Sequence, residues 1–304
     1  MGSLYTVTFA QPAEQAAAFH LIFQHFPEAE RSSRVGNALQ LVRQGELPAE
    51  GIFIARKGAV LVGALVCLPL RGASALIWPP QASGDCNSTA VEDLLMQESC
   101  AWLRGRGAKL AQALLTNDEI RLAPPLVRNG FHHVTDLLYL RLELDRPVGF
   151  RLDKESVTFQ APIGQHRLVF QQTLLQSYEG TLDCPEVNGV RSIDEILDGH
   201  RGSRLDDPPT WWLAIESGRS VGVILAMEMP ESAWDLSYVG IIPEARRRGL
   251  GRELVQKTLV EAKAAGANNV SLSVDTRNRP AWQLYAGLGF TVYDHREVYL
   301  AIWA

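Results

Sequence analysis

The sequence is poor in cysteine and has no C-x-x-C pair. Its four cysteines, at positions 67, 86, 100 and 184, show no spacing typical of a zinc site or a redox pair. We therefore expect no metal, and reduced thiols of the kind found in the cytoplasm. No apolar run approaches about eighteen residues, and no secretory signal is visible, so we expect cytoplasmic localisation and no membrane partner.

The chain also lacks an excess of positive charge. It carries 29 lysines and arginines against 34 aspartates and glutamates, a net charge of −5. This balance disfavours a general nucleic-acid binder, so we expect no nucleic-acid partner. Its 304 residues are long for a single hydrophobic core and favour two domains.

What the chain does have is an arginine- and glycine-rich turn, residues 246–252 (RRRGLGR), between a strand and a helix. Residues 237–243 are apolar and β-branched, which predicts a strand that ends at Pro243. From Leu250 onwards, apolar residues recur at helical spacing. Glycines allow close backbone approach to a ligand, and the first N–H groups of a helix lack internal partners. The turn therefore predicts a site for phosphate or pyrophosphate.

The turn fits neither of the two commonest phosphate motifs. A P-loop needs a lysine after the last glycine, and a dinucleotide fingerprint needs three glycines. On its own the turn is a weak signal, because a solvated basic turn is commoner. A second block about thirty residues later, NRPAWQLYAGLGF at residues 278–290, strengthens it.

Together the two blocks resemble the GNAT superfamily of acyl-CoA-dependent N-acyltransferases. Arg246, Gly249 and Gly251 match the family's Arg/Gln-x-x-Gly-x-Gly/Ala turn. The second block matches its Asn-x-x-Ala…Tyr…Gly-Phe pattern at Asn278, Ala281, Tyr285, Gly289 and Phe290. The resemblance is clear over residues 211–302. It implies an α/β (α+β) fold in which a mixed, mostly antiparallel sheet is flanked by helices.

The resemblance also implies a cofactor site for acetyl-CoA. In the family, backbone groups of the strand pair with the pantetheine arm, and the splaying of this strand from its neighbour opens the cleft. The turn holds the pyrophosphate, mostly through backbone N–H groups, and Arg252 is well placed for a phosphate oxygen. For Arg247 and Arg248 a solvated position is an equal alternative. The implied cofactor residues are Val239, Gly240, Ile241, Arg246, Arg247, Arg248, Gly249, Leu250, Gly251, Arg252 and Asn278.

Catalysis requires a proton donor for the departing thiolate and a base for the attacking amine. The resemblance assigns the donor to Tyr285; the alternative is a core tyrosine beside Phe290. For the base, Asp235 is a candidate because its even offset from Val239 and Ile241 predicts the same strand face. Glu231 is a second candidate. A solvated carboxylate is the alternative for each.

A polar segment, residues 178–189 (YEGTLDCPEVNG), occupies the region that forms a substrate lid in this family. Tyr178, Glu179, Asp183 and Glu186 are candidates for binding a cationic or hydroxylated acceptor. An ordinary polar loop is the alternative for each of these residues.

The chain contains an internal repeat. VTFAQP at residue 7 returns as VTFQAP at residue 157, and RNGF at residue 128 parallels GLGF at residue 287. Hairpins, a strand and a helix recur between them, which indicates a duplicated domain. We predict domains at 1–150 and 151–304, joined by a linker at residues 145–156.

The first domain is predicted to be a degenerate, non-catalytic GNAT-like copy. Its loop between the corresponding strand and helix has no arginine, and Leu126 stands where Tyr285 is found in the second copy. The predicted function is N-acetyl transfer to a small-molecule or peptide amine. The alternative is a coenzyme A-binding sensor or interaction module without turnover. The oligomeric state is open.

Overall fold

The protein is described here by a computed structural model. It describes residues 4–84, 86–144, 156–201 and 210–303. All but the last residue of the predicted linker lies outside these ranges. Among the described residues, no helix has both the length and the hydrophobicity needed to cross a bilayer.

The first half of the chain forms a series of strands and helices around two hairpin-linked strands. In order these are β1 (Thr6–Phe9), α1 (Gln15–Ile22), α2 (Glu28–Gln44), β2 (Ile52–Lys57), β3 (Val60–Leu70), β4 (Ser74–Ile77), β5 (Gln81–Ala82), α3 (Ser88–Gly105), β6 (Leu110–Leu115), α4 (Pro124–Arg128) and β7 (His132–Glu143).

The second half repeats this order, apart from the short β5. Its elements are β8 (Thr158–Gln160), α5 (His166–Ser177), α6 (Ile193–His200), β9 (Trp211–Glu216), β10 (Arg219–Met229), β11 (Ala233–Ile241), α7 (Leu250–Ala264), β12 (Asn269–Asp275), α8 (Arg279–Ala286) and β13 (Thr291–Ile302). The predicted fold class, two successive copies of a mostly antiparallel mixed sheet with helices, is confirmed.

The compact units differ from the predicted domains by an exchange of strands. Unit 1 comprises Met1–Val134 and Glu297–Ala304, and unit 2 comprises Thr135–Arg296. In unit 2, β7 pairs with β12 from Leu137↔Asp275 to Glu143↔Asn269. In unit 1, the end of β13 pairs with β6. The repeat in the sequence does not reveal this exchange, because β7 and β13, the last strands of the two copies, have equivalent residue patterns.

Unit 2 has a hydrophobic cluster on each face of its sheet. Leu236, Val239 and Ile241 of β11 pack into the cluster that contains the buried residues of α7. Tyr238 packs instead into the cluster that contains Phe170 and Leu174 of α5. The sheet is therefore buried on both sides, as expected for strands covered by helices.

A β-bulge at Ser237 changes which residues of β11 share a face. Tyr238 lies opposite Leu225, but Leu236 lies opposite Ala226, so Ser237 is an extra residue on this strand. A bulge breaks the period-two alternation of side chains. This is why even-numbered residues before Ser237, but odd-numbered residues after it, face α7.

The end of β11 also separates from its parallel neighbour. β11 and β12 pair only from Ala233↔Asn269 to Asp235↔Ser271, although β11 continues to Ile241. The splaying implied by the family resemblance is therefore present, and it leaves one edge of β11 without a strand partner.

Candidate functional site

A cleft occupies the gap that this separation creates in unit 2. Its lining comes from β11, from the arginine–glycine turn (residues 246–252), from the start of α8 and from the lid segment (residues 178–189). Ser273 of β12 lines its deeper part. The wider part has a cavity volume of about 380 Å³, within the usual range for small-molecule sites.

The turn presents a row of free backbone donors to this cleft. In the described structure, the N–H groups of residues 247–251 donate to no protein acceptor, whereas those of Arg252 and Glu253 bond to Gly249 O. Arg247 at φ 63° and Gly249 at φ 88° adopt left-handed conformations on either side of Arg248. Left-handed residues within such a turn orient successive N–H groups towards one anion, and α7 adds its N-terminal dipole.

Gly251 and Gly240 allow close packing around the cleft. A Cβ at Gly251 would lie 3.3 Å from Leu284 Cδ1, and one at Gly240 would lie 2.5 Å from Ser177 Oγ. Ser177 Oγ is itself 2.9 Å from the Tyr238 hydroxyl. A side chain at position 240 would therefore force α5 away from β11.

Arg246 lines the cleft, but its guanidinium group is occupied by protein carbonyls. Its Nε donates to Ile241 O at 3.0 Å, and its terminal nitrogens donate to Ser177 O at 3.0 Å, Glu179 O at 2.7 Å and Gly180 O at 3.4 Å. A cation here satisfies carbonyls that the end of α5 leaves unpaired. The side chain therefore joins the turn to the lid segment, a role that the motif did not indicate.

Two further arginines of the turn, Arg248 and Arg252, also have protein partners. Arg248 forms an ion pair with Glu216 at 2.6 Å. Arg252 donates to Gly287 O at 3.4 Å through both terminal nitrogens. Neither lines the cleft, whereas Arg247 does and its side chain is exposed.

Asn278 and Tyr285 lie at opposite ends of α8, and both line the cleft. The Asn278 side chain caps the helix by accepting from Ala281 N at 3.3 Å. Tyr285 is buried and packs edge-on against Phe290 at 5.8 Å. Its hydroxyl has no hydrogen-bond partner among the described residues. Burial, with a smaller contribution from the Asp183 charge, raises the pKa of Tyr285 well above its usual value.

The prediction that Asp235 shares a face with Val239 and Ile241 is wrong. The bulge at Ser237 lies between them, and Asp235 is paired with Met227, on the other face of the sheet. Its carboxylate accepts from Ser237 Oγ at 2.6 Å and from Ser271 Oγ at 3.4 Å. Burial raises its pKa, against the effect of these hydrogen bonds. Asp235 does not line the cleft.

Glu231 is not brought to the cleft either. It is an exposed residue of the turn between β10 and β11, with φ 59°. Val239 is eight positions further along, which corresponds to roughly 26 Å of extended strand.

Of the four lid candidates, only Asp183 lines the cleft. Tyr178 packs edge-on against Tyr238 at 5.1 Å, and burial raises its pKa to about 12. The Glu179 side chain is exposed, and the backbone carbonyl oxygen of this residue accepts a hydrogen bond from Arg246. Glu186 forms a two-bond ion pair with Arg277 at 2.6 and 3.0 Å.

The sequence interpretation missed Asp275, which fixes the lid segment to β12. This fully buried carboxylate accepts from Cys184 N at 3.0 Å, Thr135 Oγ1 at 2.6 Å and Arg277 Nη2 at 2.7 Å. Burial alone would raise the pKa of Asp275, but the hydrogen bonds from the Arg277 side chain, Thr135, Cys184 N and Arg277 N lower it to about 2. The sequence signal that could have identified Asp275 was its position at the end of a strand, just before the block at residues 278–290.

Comparison with known families gives a match within unit 2. Residues 176–290 match the model of the acetyltransferase (GNAT) family. Two curated relatives are the mycothiol acetyltransferases of Thermomonospora curvata, 39% identical over 87 residues and 29% of each chain, and of Thermobifida fusca, 38% identical over 139 residues and 42% of each chain. The chain thus spans less than half the length of these relatives.

Solved structures resemble the whole chain. A GCN5-related N-acetyltransferase from Sphaerobacter thermophilus has a TM-score of 0.62 at 18% identity, covering 100% of this chain and 97% of that one. A tandem GNAT protein from the clavulanic acid biosynthesis pathway has a TM-score of 0.52 at 15% identity, covering 99% and 98%. At such identities the likeness shows the fold alone. The predicted resemblance to the GNAT superfamily, in a tandem arrangement, is confirmed.

Replacing Arg246 by Met should destabilise the protein. The change leaves carbonyls at the end of α5 without a donor, and we expect the free energy of unfolding to fall by about 2 kcal/mol. Urea denaturation measures this, with Arg248→Met as the control, because an exposed ion pair contributes less than about 1 kcal/mol. Unchanged stability together with a tenfold weaker affinity for coenzyme A would instead identify Arg246 as a phosphate ligand.

Replacing Asp275 by Asn should destabilise the protein in a pH-dependent way. Because the folded-state pKa is lower than that of an unfolded aspartate, the stabilisation is complete above pH about 4 and is lost as the pH falls through about 2. It corresponds to roughly 2 kcal/mol at neutral pH. Urea unfolding of wild type and variant from pH 7 to pH 2 should show the difference shrinking in acid.

The exposed Asp118→Asn variant is the control for this series. A difference between Asp275→Asn and wild type that stays constant from pH 7 to pH 2 would contradict the assigned role of the carboxylate.

Proposed function

We propose that this chain, whose residues 176–290 match the model of the acetyltransferase (GNAT) family, transfers an acetyl group from acetyl-CoA to an amine of a small-molecule or peptide acceptor. The carrying observation is that one cleft is lined both by the edge of β11 that β12 leaves unpaired and by residues 247 and 249–251 of the turn, whose N–H groups have no protein acceptor among the described residues. The turn suits a pyrophosphate, and the edge of β11 suits the amide groups of a pantetheine arm.

The hydrogen-bond donors of the cleft suit coenzyme A. The N–H groups of residues 247–251, which lead into α7, have no partner among the described residues, and such donors require an anion or water. Bound acetyl-CoA supplies an activated thioester carbonyl. The backbone groups of Val239, Gly240 and Ile241 orient the arm, and Asn278 lies beside it. N–H donors fixed on a strand edge stabilise negative charge on the carbonyl oxygen, because they need no reorganisation during the reaction.

Tyr285 is the proposed proton donor. Tyr285 lines the deeper part of the cleft, and its hydroxyl has no partner among the described residues. The hydroxyl stays protonated at neutral pH because burial raises its pKa. It donates to the departing sulfur of coenzyme A. Leu236 and Leu284 line the same part of the cleft and provide apolar surface beside the hydroxyl-bearing ring.

We assign this activity to unit 2 alone. In unit 1, the N–H of Asn87, at the start of α3, already donates to the Tyr5 hydroxyl at 3.1 Å. The strand β4 has four residues, against nine in β11. Leu126, at the position equivalent to Tyr285, is fully buried. Unit 1 is therefore proposed to bind no acyl-CoA.

Replacing Tyr285 by Phe should lower turnover with little effect on cofactor binding. General-acid catalysis contributes about 10²-fold or more, so we expect kcat to fall by at least that factor. Release of coenzyme A thiol, measured with acetyl-CoA and a panel of amines, gives kcat, and calorimetry gives the acetyl-CoA affinity. Tyr293→Phe, at a half-exposed position on β13, is the matched control.

Two other results would contradict this proposal. Wild-type turnover by the Tyr285→Phe variant would exclude the tyrosine from the mechanism. A wild type that binds acetyl-CoA but acetylates no amine would favour a coenzyme A sensor or interaction module.

A further inference from the structure

The described lining of the cleft contains one side chain that can accept a proton at neutral pH. Among the described residues that line it, the ionisable side chains are Asp183, Tyr238, Arg246, Arg247 and Tyr285. Burial raises the pKa of both tyrosines, so they remain protonated. Arginines stay charged and offer no acceptor. Asp183 is therefore the single proton acceptor in this lining.

Backbone hydrogen bonds hold Asp183 in place from two sides. Its own N–H donates to Thr181 Oγ1 at 3.1 Å, and its Oδ1 accepts from Asp275 N at 3.2 Å. The next residue, Cys184, donates its N–H to the Asp275 carboxylate. The other carboxylate oxygen, Oδ2, accepts no hydrogen bond from the described residues. Asp183 is thus fixed at the end of β12 with one oxygen available to a ligand.

The position of Asp183 connects the two parts of the cleft. It lines both the wider part, beside the turn, and the deeper part, beside Tyr285. Its charge contributes to the raised pKa values of Tyr285 and Tyr238. An amine that approaches a thioester in this cleft has Asp183 as its only carboxylate neighbour within the described lining.

We propose that Asp183 is the general base, accepting a proton from the ammonium group of the acceptor. This inference rests on the proposed acetyl transfer. The ammonium group first gives one proton to Asp183 Oδ2. The free amine then forms the C–N bond with the acetyl carbon, the C–S bond breaks, and the sulfur takes the Tyr285 proton. The remaining excess proton on nitrogen restores the Tyr285 hydroxyl, and Asp183 releases its proton to water.

The surroundings of Asp183 suit this role. Burial, together with the nearby Asp275 carboxylate, raises its pKa to about 6, while the Asp275 N–H and Arg277 act in the opposite direction. The other titratable groups on which its charge acts are the Cys184 thiol and the hydroxyls of Tyr178, Tyr238 and Tyr285. A base with a pKa just below the working pH is mostly ionised and still takes up a proton readily. Turnover should therefore fall as the pH drops through about 6.

Asp183→Asn and Asp183→Ala separate proton transfer from lid attachment. An asparagine Oδ1 still accepts from Asp275 N but takes up no proton, whereas alanine loses both functions. The exposed Asp194→Asn on α6 is the matched carboxylate-to-amide control. We measure kcat from pH 5 to pH 9.5 with acetyl-CoA and three amine probes (glucosamine, spermidine and an alanyl tripeptide), and the acetyl-CoA affinity by calorimetry.

For Asp183→Asn we expect kcat at pH 7 to fall by about 10²-fold or more, with unchanged acetyl-CoA affinity. The wild-type inflection near pH 6 should disappear, and the rate of the variant should rise about tenfold per pH unit towards the pKa of the amine. The control should behave like wild type. Wild-type activity and pH profile in Asp183→Asn, with loss only in Asp183→Ala, would overturn the proposal and leave a structural role.

A failure of the underlying function has a different signature. If wild type binds acetyl-CoA but releases no thiol with any of the probes, the acetyl-transfer proposal falls, and the role of Asp183 falls with it. If wild type is active and the Asp183 variants match it, acetyl transfer stands and this inference alone is rejected.

Discussion

The separation of β11 from β12 after Asp235 is the constraint on which the site depends. Backbone N–H and C=O groups need partners, so a strand edge that leaves its ladder must find them in water or in a ligand. In this protein the cleft lined by the free edge is also lined by the turn, whose residues 247–251 have N–H groups without an acceptor among the described residues. The polypeptide backbone, rather than a set of charged side chains, thus provides most of the proposed cofactor contacts.

The arginines of the turn support this arrangement from outside. Arg246 connects the turn to the end of α5, Arg248 to β9 through Glu216, and Arg252 to the end of α8. Fixing three elements around the turn keeps its N–H groups oriented in the absence of a ligand. Preorganised donors bind an anion at a lower entropic cost than donors on a mobile loop.

The sequence alone predicted the repeat, the hairpins and the residues of the turn, because these depend on local patterns. It predicted neither the bulge at Ser237 nor its effect on Asp235, since one extra residue in a strand has no composition signal. The exchange of terminal strands was equally hidden, because β7 and β13 have similar patterns. The Arg246 guanidinium group donates to carbonyl groups about seventy positions away in the sequence, and no local motif encodes such contacts.

The most direct test is the stoichiometry of acetyl-CoA binding, measured by calorimetric titration of the full chain. Gly249→Ala places a Cβ at φ 88° and should weaken binding by tenfold or more. Gly84→Ala, in the corresponding loop of unit 1, meets no neighbouring atom within 4 Å and should have no effect. We expect one site per chain. Two sites per chain, or full affinity in Gly249→Ala, would contradict it.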